Sequence, residues 1–176
     1  MDVVSHGLWG TLLFGHNKKG EYRYYFWAAL FGILPDTLFF FVFIGMVIAG
    51  NTQLTMPPNF PAEAIETYKY THSFLTAGTV FIFLFIFLFI FHKNMIKLFL
   101  AWPLHITVDI FTHTADFYPT KFLYPLSDFY ISVISWRHNL IAVGINYVIL
   151  IAAIVFLFIY KKKKNQQTQG WQNQNP

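Results

Sequence analysis

The chain contains no cysteine, which excludes disulfides and thiolate metal sites together. Any metal would have to sit on His, Asp, Glu or backbone oxygens. Charge is scarce as well. Only 11% of the 176 residues are Asp, Glu, Lys or Arg, against roughly 25% in an average soluble domain. Hydrophobic residues make up 56% and the mean hydropathy is +0.47. That balance is not compatible with an ordinary soluble domain, and the length suits one compact membrane bundle. The basic n-region of a cleaved signal peptide is missing too, because Asp2 and His6 flank the first apolar run.

What is present reads as an all-α polytopic membrane helical bundle, with about four spanning helices and a short N-terminal half-helix. Residues 3 to 15 are apolar but fall short of the roughly 20 residues that a span needs. His6 and Trp9 can share one face of this half-helix, and Gly7 and Gly10 permit close packing. Residues 24 to 49 are long enough to cross, with Pro35 and Asp36 near the middle. Proline removes a backbone donor there, and a buried carboxylate needs a partner. A Pro-rich loop with Pro57, Pro58 and Pro61 leads to AEAIETYKY, which reads as an interfacial helix. Thr71-His72-Ser73 then opens a span from Phe74 to Phe91 whose core has no polar residue. A further helix is expected from Met95 to Thr114, then a loop over 115 to 138 and a last span from Asn139 to Tyr160. Residues 1–160 are taken as the membrane domain. Residues 161–176 are polar, basic and low in complexity, the composition of a disordered tail.

Basic residues suggest an orientation. With the C-terminus in the cytoplasm, nine of the twelve Lys and Arg fall inside, among them Lys18, Lys19, Arg23, Lys97 and the run Lys161–Lys164. Only Lys69, Lys121 and Arg137 fall outside. The run after the last span is read as a topology and lipid-headgroup signal, and no nucleic-acid partner is expected.

The most informative stretch is WPLHITVDIFTHTADFYPTKFLYPLSD, residues 102 to 128. His105, Asp109 and His113 are four apart, and each step of four overshoots a helical turn by about 40°, so they form one drifting stripe. With His6, Asp36 and His72 they make six candidate ligands on four segments, in or beside apolar stretches. Imidazole and carboxylate together suit zinc, manganese or iron. Plainer readings exist for four of the six. Asp36 alone could be a protonated acid, a helix-kink partner or part of a proton path. His6 and His72 could be interfacial, and His113 could cap its helix. His16 and His92 beside basic turns are read as structural, and His138 as interfacial or capping. Trp9, Trp27, Trp102 and Trp136 are read as belt or core aromatics.

The order SHGLWG, LPD, THS, LH-x3-D-x2-T and a later PLSD, over residues 3 to 136, resembles the membrane-bound metal-dependent hydrolase family. That family is in turn similar to the soluble zinc-dependent phospholipase C and single-strand nuclease group. The resemblance implies that Asp36, His72 and His105 hold one divalent ion, zinc by preference. Asp109 would bridge to a second ion held by His6, with His113 a further candidate. It also implies catalytic roles for Asp109, His105 and Asp36. In the soluble group the processed N-terminal residue is a ligand, a role not evident for Met1. Leu38 stands where many members of the membrane family have a second acid, and Ala142 stands where the soluble group's third ion would need one. One or two ions are therefore expected, not three.

The combined expectation is a membrane-embedded hydrolase that uses metal-activated water on a phosphoester, lipid or lipid-linked. Ser73, Thr107 and Thr112 are candidates for orienting the imidazoles, and Asp116 and Asp128 for a general acid. The alternative is a non-enzymatic membrane protein with a structural metal site or a His/Asp ion path. The oligomeric state is left open.

Overall fold

Tyr22–Ile48 forms one helix, α2, 27 residues long. At 1.5 Å per residue it is about 40 Å long, enough to cross a hydrocarbon core of roughly 30 Å. It runs unbroken through Pro35. Its buried residues, Tyr24, Ala28, Gly32, Pro35, Asp36, Phe39 and Phe43, follow each other at helical spacing. The opposite face exposes Phe41, Ile44 and Ile48. A helix that is apolar on both its buried and its exposed face is one that faces lipid.

This computed structural model describes residues 1–16, 21–55, 59–91, 93–116 and 118–174, with the side chains at 88–91, 93–94, 164–165 and 167–174 not described. Lys18, Lys19, Pro57, Pro58 and His92 lie outside the described residues. The described residues are helical with no strand, and fall into two units, Met1–Asn139 and Leu140–Pro176.

The first unit begins with α1, Val3–Phe14. The Asp2 carboxylate caps it, accepting from the Ser5 amide at 2.9 Å and from Ser5 Oγ at 2.8 Å. α1 packs closely on α2. A Cβ on Gly10 would sit 2.7 Å from the Ala28 carbonyl oxygen, and one on Gly32 would sit 2.7 Å from the His6 carbonyl oxygen. Gly32→Ala therefore forces the two backbones apart at His6. It should destabilise the protein by about 1–3 kcal/mol, read as a lowered Tm in detergent. An unchanged Tm would mean that α1 does not approach α2 this closely.

Helices α3, Ala62–Thr71, and α4, Phe74–Phe91, meet at His72-Ser73. The break bends them by 62°. The sequence treats the first as an interfacial helix and the second as a span, but together they make one bent apolar pair. Backbone groups opened by such a break must be satisfied within the protein, and here they are. Trp102 Nε1 donates to the Thr71 carbonyl at 2.9 Å, and the Phe74 amide to the Phe122 carbonyl at 2.9 Å. Ser73 Oγ donates to the Tyr124 carbonyl at 2.5 Å and accepts from the Leu75 amide at 3.1 Å. Ser73 therefore holds the bend that presents His72.

The helix expected from Met95 to Thr114 is shorter than its sequence suggests. Lys93–Leu100 is a 3-10 helix, and the α-helix, α5, covers Ala101–Thr112. It stops because His113 turns to an extended backbone, φ −106° and ψ 133°. The last carbonyls of α5 are taken up by the following loop: the Ile134 amide donates to the Phe111 carbonyl at 3.0 Å and the Trp136 amide to the Thr112 carbonyl at 3.1 Å. This lays residues 134–137 over the end of the helix that carries His105 and Asp109.

The second unit is helix α6, Leu140–Gln174. Leu140–Lys163 is long and apolar enough to cross a membrane, and most of its apolar side chains are exposed, Ile141 and Val148 among them. The helix continues past Tyr160 through Lys161–Lys164, where composition predicts disorder. Lys and Gln are good helix formers, and extending an existing helix adds one bond per residue. Among the described residues, three helices are long and apolar enough to span a membrane, or four counting the bent pair as one. The fold class is thus the expected one, all-α with three to four candidate spans and a short N-terminal helix.

Candidate metal centre

The residues that differ most from their apolar surroundings come together at the crossing of α1, α2, the α3–α4 break and α5. One ligand atom each from Asp36, His72, His105 and Asp109 lies within 4.8 Å of all the others, and all four residues are buried. His72 Nε2 is 3.0 Å from His105 Nε2, 3.3 Å from Asp36 Oδ1 and 3.5 Å from Asp109 Oδ2. His105 Nε2 is 3.3 Å from Asp109 Oδ2 and 3.7 Å from Asp36 Oδ1. Four ligands about 2.0–2.1 Å from a single ion in a tetrahedron stand about 3.3 Å from one another. The five separations straddle that value.

The opposite edges of the rings fix which nitrogen carries hydrogen. His105 Nδ1 donates to the Gly32 carbonyl at 2.7 Å, and His72 Nδ1 to the Tyr68 carbonyl at 3.0 Å. A carbonyl only accepts, so in the neutral rings both Nε2 atoms are bare lone pairs. They face each other and two carboxylate oxygens. Asp109 Oδ2 is buried and accepts no hydrogen bond. Four lone-pair donors aimed at one another in a buried site are unfavourable unless a cation lies between them. A buried Asp/His/His/Asp group of this kind could hold a metal ion.

Asp109 divides this group from a second set of contacts. Its Oδ1 meets His6 Nε2 at 2.9 Å, Thr112 Oγ1 at 3.3 Å and the α-amine of Met1. The amine also donates to Thr112 Oγ1 at 2.8 Å. The His6 ring stacks on His105 with centroids 3.5 Å apart. His113, off the helix, still brings Nε2 to 3.7 Å from Asp109 Oδ2. His6 and His113 thus flank the four-residue group and are not members of it.

Two tyrosines orient His113. Tyr68 Oη is 2.6 Å from His113 Nδ1 and 2.9 Å from Thr120 Oγ1, and the Tyr118 carbonyl lies 3.3 Å from the same Nδ1. Tyr118 adopts a left-handed backbone, φ 45°, which an L residue rarely takes. Nothing in the periodicity of the sequence singles out Met1, Tyr68 or Tyr118, since each reaches the site through the tertiary fold. Tyr68→Phe removes the hydroxyl but keeps the ring that stacks on His72, with centroids 3.9 Å apart. The lost hydroxyl stands behind His113, so if His113 joins the ion as a further ligand, metal affinity should fall about 10–100-fold, the usual scale for a lost partner behind a ligand. Metal titration that finds no change would sever Tyr68 from the site.

Other expectations change. Thr107 is exposed and donates to the Pro103 carbonyl at 2.8 Å. Two residues from His105 lie about 200° around a helix, so Thr107 faces away. Asp128 pairs with Lys121 at 2.5 Å, and that hydrogen bond holds its carboxyl below the ordinary range. Asp116 is likewise lowered, by its hydrogen bond from Thr114. Neither lines the cavity beside the cluster, and acids that stay ionised make poor proton donors. His138 is exposed and 3.6 Å from Asp116. Trp102 is a core residue, whereas Trp136 lines the cavity.

That cavity measures about 350 Å³. Asp36, Tyr68 and His113 contribute to its lining, so a ligand in it would reach one side of the cluster.

Helices long enough to cross a bilayer, with a buried His/Asp cluster between them, define a polytopic membrane protein. Residues 1–172 match the model of the YdjM inner membrane protein family, and the chain belongs to that family. No curated protein and no solved structure matches it. The match supports the membrane placement and names no activity.

Proposed function

We propose that this protein is a membrane-embedded, metal-dependent hydrolase that acts on a phosphoester, lipid or lipid-linked. The observation that carries the reading is the set of four buried lone-pair donors at tetrahedral spacing, with Asp109 Oδ2 left without a hydrogen bond. Asp36, His72, His105 and Asp109 would hold a divalent ion, zinc by preference. Asp109 Oδ1 with His6 offers a smaller set for a second, and His113 is the remaining candidate. Such an ion supplies Lewis acidity, lowering the pKa of water towards about 7 and offsetting negative charge that develops on phosphoryl oxygens.

The protein's own residues supply the rest. The Gly32 and Tyr68 carbonyls fix the two imidazoles. The apolar shell excludes bulk water, which strengthens each electrostatic contact. His113 lines the cavity, with Nδ1 held by Tyr68 and Nε2 turned towards Asp109 Oδ2. The cavity favours this reading over a purely structural site, which needs no space beside its ligands. An ion path is disfavoured because Ile106 and Ile110 are buried among Phe99, Trp102 and Ala77, an apolar layer.

Metal analysis of the purified protein, followed by a phosphoester substrate screen, tests the proposal. Bound metal with turnover is expected. Bound metal without turnover leaves the structural alternative, and no bound metal refutes both. The proposed orientation places the C-terminus in the cytoplasm and loop 115 to 138 outside. Cysteine-accessibility labelling, clean in a chain without native cysteine, should find the loop accessible from outside only. Labelling from the cytoplasm would reverse the orientation.

A further inference from the structure

The cavity beside the cluster has features that hydrolysis of a small soluble ester would not require. One wall is a set of aromatic rings already packed edge to face. Phe60 lies 4.8 Å from Phe39 and 5.4 Å from Tyr118, centroid to centroid. These rings hold the wall open in a preferred mutual geometry rather than leaving it to collapse. The wall continues through Phe40, which lines the cavity and is 39% exposed on α2. Its neighbour Phe41 is 76% exposed on the face of the same membrane-spanning helix. An apolar chain could therefore pass from the bilayer into the cavity along Phe40 without crossing water.

The polar lining is sparse and asymmetric. Asp36 and His113 mark the side next to the cluster, and Asp2 is occupied in capping α1. Arg137 is the one Lys or Arg among the described lining residues. It is positioned by its neighbour Trp136, whose amide binds the last turn of α5. A guanidinium presents a planar fork of donors that matches phosphate oxygens. At about 350 Å³ the cavity lies near the lower end of ligand sites, roughly 300–1,000 Å³. That suits a head group and part of one chain.

We infer that this cavity binds a single-chain anionic amphiphile, with its phosphate between Arg137 and the Asp36/His113 side and its chain along Phe39, Phe40 and Phe60. The inference rests on the hydrolase reading only for which bond would be cut. Seating the phosphate beside the Asp36 carboxylate also needs the bound cation, whereas the chain subsite follows from the cavity itself. Arg137 would be a specificity residue that recognises the head group, and the aromatic wall would select against free, chainless phosphoesters.

The test uses the full chain, metal-loaded in nanodiscs, and dodecylphosphonate, whose carbon–phosphorus bond resists hydrolysis. Binding is read from tryptophan fluorescence, with Trp136→Phe as the reference that removes the cavity signal. Dodecylphosphonate should bind and change the Trp136 signal, and dodecanol should not displace it. Arg137→Gln, at an exposed loop position, should weaken binding about tenfold or more with the Tm unchanged, the scale of one hydrogen bond to a charged group. Equal affinity for methylphosphonate would overturn the chain subsite. Unchanged affinity in Arg137→Gln would overturn the head-group role. Displacement by a diacyl phosphatidate as effective as by the single-chain probe would overturn the single-chain assignment. Binding without turnover of dodecyl phosphate refutes the hydrolase reading and leaves this site standing. Turnover of a soluble ester with no effect of chain length does the reverse.

Discussion

Asp109→Asn should strip the protein of its metal and abolish turnover while the helices still insert. The substitution keeps nearly the same shape and removes the negative charge shared between the two sets of contacts. Asp109 Oδ2 faces His72, His105 and His113, and Oδ1 faces His6 and Met1. An asparagine must place an NH2 group on one side or the other. Placed at the Oδ2 position, it points hydrogens at the lone pairs meant for an ion. Placed at Oδ1, it meets the Met1 amine, another donor. Either way the site loses a charge and gains a misplaced donor. Insertion is untouched because it depends on the apolar spans. Metal analysis, turnover and thermal unfolding on one preparation check this. A purely structural site would also lose metal and Tm, but its parent would have no phosphoester activity to lose. If the parent binds no metal and the variant keeps its Tm, the metal hypothesis fails in both forms.

Chelation should have the second largest effect. An ion that binds only the folded state stabilises it by mass action, about 2.7 kcal/mol at a free concentration 100 times Kd. Four donors contributed by α2, the α3–α4 break and α5 are held by the ion at once, so its removal loosens the whole crossing. The expected result is a clear fall in Tm on chelation and full recovery on adding zinc. Magnesium should restore little, because it prefers six oxygen ligands and this group offers two imidazoles. A Tm indifferent to both chelator and zinc would contradict the account. The Asp109→Asn protein should show no zinc response, which makes the two experiments controls for each other.

Much of the site is legible in the sequence because its signals are local. His105 and Asp109 share a helix face by their spacing of four. Asp36 stands out as a carboxylate beside proline within an apolar span, and His72 as a polar residue at the mouth of another. What is not legible depends on contacts between distant segments or on where helices stop. Met1 and Asp109 are 108 residues apart, and no periodicity connects them. Tyr68 looks like an aromatic of an interfacial helix until the 62° break folds α3 back over His113. The stripe itself extends one residue too far in the sequence reading, because apolar spacing does not reveal that the backbone turns extended at His113. Trp136 and Arg137 read as belt and loop residues. They enter the picture only because their strand of loop satisfies the open carbonyls of α5.

The most direct test of the central claim is X-ray absorption at the zinc edge on protein purified without chelator. The account predicts bound zinc with two imidazole nitrogens and carboxylate oxygens at about 2.0–2.2 Å, a signature absent from Asp109→Asn. Protein grown and purified with zinc that holds none, or whose zinc spectrum is the same in Asp109→Asn, would contradict it.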